Sequence, residues 1–142
     1  MTAKEYLGQA YRLDQRITSK LQQIDSLRSL TRKVTATCDS EAVSHTRNPH
    51  SLEDAIIHLM EAEDQLNRQI DDLICLKVKI GEVIDKVHNE SYRLILEKRY
   101  LCFMSWDQIA AEMNYSRRWV LKRHDQALGV VDRLLSGEEE TA

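Results

Sequence analysis

A single proline, Pro49, and four glycines punctuate the 142 residues of this chain. An all-β architecture turns every few residues and draws heavily on both residue types. A chain this poor in them is left with long helices, so the expected fold class is all-α. Hydrophobic residues make up 42 % and charged residues 30 %. That is apolar enough to fold, and the length suits one compact domain or two small modules.

Helical periodicity appears at once. Apolar residues recur at three-four spacing from Tyr6 through Ala10, Leu13, Ile17, Leu21, Ile24, Leu27 and Leu30 to Val34. The pattern then stops, and residues 35–50 read as a loop holding the sole proline. Ser51 is the expected cap of a second helix, with Asp54 as its reciprocal partner. From there Leu52, Leu59, Leu66, Leu73, Ile80 and Val87 stand seven apart, one apolar residue per heptad. The companion seam reads Ile56, Glu63, Ile70, Lys77 and Ile84, alternately apolar and charged. This predicts a coiled-coil rod from 51 to 87, roughly 55 Å long. Such a rod must be covered, by the first helix folded back as an antiparallel hairpin or by a second copy.

After a break at residues 88–91, three shorter helices are expected. The first runs from Glu90 to Leu101, with Asn89 as its cap. The second is capped by Ser105 with Gln108 and ends near Met113. The third is capped by Ser116 and runs to about Leu135. The expected division is a hairpin or coiled-coil region at 1–88, a helix-turn-helix module at 89–135 and a polar tail at 136–142. In that module Asn114 suits the left-handed turn, Ala110 suits a close helix crossing, and Ile109, Met113, Tyr115, Val120, Ala127 and Leu128 are the candidate core.

The helix after the turn carries the chemistry. Between Ser116 and Leu128 four basic residues face one acid, Asp125. Ser116, Arg117, Arg118, Leu121, Lys122 and Arg123 are the candidate DNA-binding residues, with His124 nearby. Arginine offers bidentate contacts to guanine, arginine and lysine neutralise phosphates, Leu121 could meet a thymine methyl, and Ser116 opens a helix N-terminus to phosphate. Arg123 has an alternative role as an internal ion-pair residue. Trp119 and Trp106 read as packing residues before ligands.

Other site classes find little support. Cys38, His45, His50 and His58 match no zinc spacing, and no cofactor or metal is expected. The acidic pairs on the rod have no nucleophile or histidine arranged around them, so no enzyme is expected. Cys38, Cys75 and Cys102 form no CxxC pair and fit a reducing compartment. Neither a membrane span nor a signal peptide is expected, and the location expected is cytoplasmic.

The stretch from Ile95 to Leu128 resembles region 4 of bacterial sigma factors. The residues that carry the likeness are Leu96 to Leu101, Trp106 to Ser116, and Val120, Arg123, Ala127 and Leu128. Asn114 stands where that pattern usually has glycine, and Trp119 where it often has threonine. The whole chain, beginning with Ala3 to Ile17, is similar to small phage and prophage proteins of Gram-positive bacteria. In plan these resemble late transcription regulators of the ArpU and RinA type. The resemblance implies a DNA-binding regulator in a bacterial host cell, with late-gene activation as the expected role. The expected partners are double-stranded DNA, a second copy of the chain and RNA polymerase. The alternative is a small-terminase-like packaging or assembly protein. A complete sigma factor is disfavoured, because residues 1–91 hold no tryptophan or phenylalanine. The net charge of −3 divides into +3 for residues 1–50, −5 for 51–88, +2 for 89–133 and −3 for the tail. The total therefore does not exclude DNA.

Overall fold

A computed structural model describes residues 1–40 and 49–137, with side-chain surroundings for 1–33 and 51–137. Every regular element among the described residues is helical, and the chain is all-α. The elements are α1 (Ala3–Leu7), α2 (Gln9–Ser40), α3 (Pro49–Asp85), α4 (Glu90–Leu96), a π-helical segment (Glu97–Leu101), α5 (Trp106–Met113) and α6 (Arg117–Leu135). No described helix is long and apolar enough to cross a membrane.

The helix ends follow local chemistry. Thr2 and Glu5 form a capping box on α1. Asn89 caps α4 by accepting from the backbone N–H groups of Ser91 and Tyr92. Ser105 and Gln108 cap α5 reciprocally, and Asn114 ends it in the left-handed conformation at φ 59°. Ser116 Oγ accepts from the Trp119 N–H and opens α6. Each cap supplies a partner for a helix-end group that would otherwise lack one.

Several expected boundaries move. Gly8 divides the first helix into α1 and α2, where a continuous helix from Tyr6 was expected. Part of the segment expected as a loop at 35–50 is helical. Residues 35–40 continue α2, because nothing from Thr35 to Ser40 is a glycine or proline and their helix propensities are only modestly unfavourable. Pro49, not Ser51, opens α3. Proline's fixed φ and missing N–H suit the first helical position, where no intrahelical donor is needed. Residues 41–48, with His45, and the tail from 138 lie outside the described residues. The helix expected from Glu90 to Leu101 changes to π-helical winding at Glu97.

The chain divides into two compact units, residues 14–72 and residues 1–13 with 73–142. Apolar burial holds the second of these units together. Ala3, Leu7 and Ala10 pack in one core with Ile80, Ile84 and Val87, with Leu96 and Tyr100, and with Ala127, Val130 and Val131 of α6. The Ala3 N–H donates to Asp132 Oδ1 at 2.7 Å, fastening the start of α1 to α6. A second, smaller core joins Ile95, Ile109, Ala110 and Val120, flanked by Met104, Trp106, Met113 and Trp119.

The other unit holds the long part of α2 and the first part of α3. Among the described residues, Ile17, Ile24 and Leu66 are its buried apolar side chains. Arg28 pairs with Glu63 at 2.6 Å. Ile84→Ala should lower stability by about 2–5 kcal/mol in urea denaturation, since it opens a cavity in the main core. Ile74→Ala, at a position 56 % exposed, should cost well under 1 kcal/mol. Equal losses would show that the main core is misassigned.

Candidate nucleic-acid interface

The turn Asn114-Tyr115-Ser116 sets α6 against α5, and Val120, His124, Ala127 and Val131 form the buried stripe of α6. That stripe leaves Arg118 and Lys122, one turn apart, exposed on the opposite side. Arg117 is exposed on the flank, and its Nε lies 3.8 Å from Asp107 Oδ1. Ser116 is exposed beside it, at the helix start. Of the candidate residues, these four share an open surface at the beginning of α6.

The other two are held differently. Leu121 is half-buried on the inner flank of α6. Arg123 is half-buried on the other flank. Its guanidinium lies over Tyr92 at 5.6 Å and over Trp119 at 5.1 Å from the ring centroids. Arg123 therefore makes cation–π contacts, and no carboxylate pairs with it among the ion pairs of the described residues. Tyr115 is not a core residue. It is 52 % exposed and stacks on Trp119, with centroids 3.7 Å apart. Trp106 packs edge-on against His124 at 4.5 Å and carries Arg99 over its face at 4.4 Å.

A family model described as a protein of unknown function (DUF1492) matches residues 33–132. The chain belongs to this family. No curated protein and no solved structure matches it. The matched span takes in α3, α4, α5 and most of α6, with all six candidate DNA-binding residues.

His124 departs furthest from expectation. It sits in the buried stripe, only 5 % exposed, and its Nε2 lies 2.6 Å from Tyr100 Oη. Asp125 Oδ1 stands 3.8 Å from Nδ1; with the ring proton on Nδ1, the phenol donates to Nε2. The spacing Val120, His124, Ala127, Val131 already places His124 on the core stripe, a pattern that reading His124 with the basic residues overlooked. Tyr100 comes from the π-helical segment, so this bond ties that segment to α6.

Burial pushes the His124 pKa down to about 4; Asp125 opposes this, and Arg99 and Lys4 add to it. Burial also pushes the Tyr100 pKa up to about 12, with Arg99 opposing. The folded state therefore prefers both groups neutral. For His124 the contribution is complete above the unfolded value of about 6.5 and is lost as pH falls from there toward the folded value. The shift bounds that loss at about 3 kcal/mol. Urea denaturation from pH 7 to pH 4.5 should show it in the native sequence and not in His124→Gln, which cannot titrate. The same slope in both proteins would assign the acid sensitivity to carboxylates instead.

Proposed function

We propose that this chain is a sequence-specific DNA-binding transcription regulator of a phage or prophage, acting on late genes, with α6 as its reading helix. The observation that carries the reading is the division of α6 into two faces. One side is locked into the cores, while Arg118 and Lys122 project from the other, with Arg117 and Ser116 at the helix start. A short helix, a three-residue turn with a left-handed Asn114, and a second helix with a basic outer face fit a helix-turn-helix of the sigma region 4 kind. In this reading Arg117, Arg118 and Lys122 reach bases or phosphates, Ser116 lies near a phosphate, and the two rings under Arg123 aim it at the groove edge. Half-buried Leu121 is assigned to packing before thymine contact.

The long helices supply the partner-binding part. We infer an antiparallel hairpin of α2 and α3. Arg28 lies twelve residues before the end of α2, and its partner Glu63 fourteen after the start of α3. Near-equal distances from the connection are what an antiparallel return produces. Ile74 and Val78 of α3, one turn apart, are exposed. We assign them to pairing with a second copy. A two-fold dimer would set two α6 helices on DNA half-sites. RNA polymerase is the further partner that an activator of this kind would need.

Binding to a promoter fragment from a host prophage should weaken steeply as salt rises. Arg118→Ala with Lys122→Ala should reduce specific affinity by at least about tenfold and flatten the salt slope by roughly 1 to 2 units, with helix content unchanged. Full affinity in the double variant would remove this face from the proposal. Sedimentation should give a dimer that Ile74→Asp with Val78→Asp dissociates. A ring of eight or more copies would favour a packaging role.

A further inference from the structure

On the inner side of α6 lies a cavity of about 500 Å³ that the DNA reading leaves unused. Its volume falls in the range of small-molecule sites, roughly 300–1,000 Å³. Tyr11, Phe103 and Trp106 line it, together with the hydrogen-bonded Tyr100–His124 pair. Tyr11 and Phe103 already meet edge to face, with centroids 5.7 Å apart. Such walls offer a flat ring both stacking and edge contacts.

The charged lining has a small positive excess, with Lys4, Arg12 and Arg99 against Glu5 and Asp125. Both acids are turned to other tasks. Glu5 Oε2 accepts from the Thr2 N–H in the capping box, and the Asp125 side chain is 83 % exposed. Arg99 donates through one nitrogen to the Met104 carbonyl, which fixes a five-donor group in place without using up its donors.

The backbone beside the cavity is unusual in two independent ways. Residues Glu97–Leu101 wind as a π-helix, and Phe103 takes φ 55°. A π-helical turn inside a helix is frequent at functional sites, and a bulky residue in the left-handed region costs energy that the surroundings must offset. Phe103, next to that segment, is among the residues that line the cavity. Lys77 supports the turn, donating to the Leu101 carbonyl at 3.1 Å and lying 4.5 Å over the Phe103 ring.

We propose that this cavity binds a small planar aromatic anion, its ring against the outer edges of Tyr11, Phe103 and Trp106 and its charge toward Arg12 and Arg99. The site shares α6 with the proposed DNA surface, so an occupant touches the same helix from its inner side. Two sources share this chemistry, an aromatic carboxylate and a nucleoside monophosphate.

The test is titration of the full chain with 2-naphthoate and, separately, with adenosine monophosphate, without DNA. Calorimetry and methyl NMR follow Leu121 and Leu128, which line the cavity. The expected result is saturable one-to-one binding of at least one probe, with both leucines shifted. The tighter probe identifies the source. Arg12→Gln, at an exposed position, should weaken binding about tenfold, the usual worth of one charge-assisted hydrogen bond. Neutral 2-naphthalenemethanol and non-aromatic cyclohexanecarboxylate should each bind at least about tenfold more weakly than 2-naphthoate. The proposal is overturned by absent saturation with both probes, by equal binding of either control, by unchanged affinity in folded Arg12→Gln, or by shifts that leave both leucines unmoved. Loss of DNA binding in the preceding experiments would not affect these readouts.

Discussion

A helix of 37 residues with an apolar residue at every seventh position cannot stay uncovered in water. The burial of that stripe on α3 is the constraint that the remaining structure answers. At its far end Ile80, Ile84 and Val87 are fully buried by α1, the start of α2, the π-helical segment and α6. Earlier along the helix, Leu66 is buried within the other unit. The two charged residues that interrupt the companion seam fit the same scheme. Glu63 meets Arg28, and Lys77 meets the Leu101 carbonyl and the Phe103 ring. Both interruptions therefore act as specific contacts between segments far apart in sequence, which hydrophobic burial alone does not specify.

The parts legible in the sequence were those decided within a few residues. Asn89, Ser105 with Gln108, Asn114 and Ser116 all end or begin helices as their side-chain chemistry requires. The apolar heptad position of α3 also kept its meaning, because seven-residue spacing on a continuous helix leaves one face no alternative. Where reading failed, competing local preferences were close. Thr35 to Ser40 lost its apolar pattern, yet loss of pattern does not end a helix unless something breaks the backbone. Pro49 opens α3, because its fixed φ suits a first helical position as well as a loop.

The candidate site shows the same division. The exposed Arg118 and Lys122 follow from helix geometry once the core stripe is known. Tyr115 was assigned to the core by its apolar ring, but the left-handed turn at Asn114 carries it outward onto Trp119. His124 lies next to the basic residues in sequence, although its spacing belongs to the core stripe. Residue type argued one way and periodicity the other, and periodicity won because Tyr100 was there to satisfy the ring. The π-helical winding and the positive φ of Phe103 had no sequence signal. They arise from how the segment between α4 and α5 must close while packing on two cores at once.

These features make α6 a helix constrained from within and open without. Its buried stripe includes a neutral histidine bonded to the π-helical segment, and its end is fastened to the N-terminus through Asp132. A helix held at both points presents Arg118 and Lys122 in a fixed frame, so less conformational entropy is lost when they meet a charged partner. The net charge of −3 is misleading for the same reason. Acid is spread along α3 and the tail, whereas the basic residues of α6 are concentrated on one short, rigid surface. Local field and fixed geometry, more than total charge, govern approach to a polyanion. A chain so arranged can carry acidity elsewhere and still present one locally positive helix face.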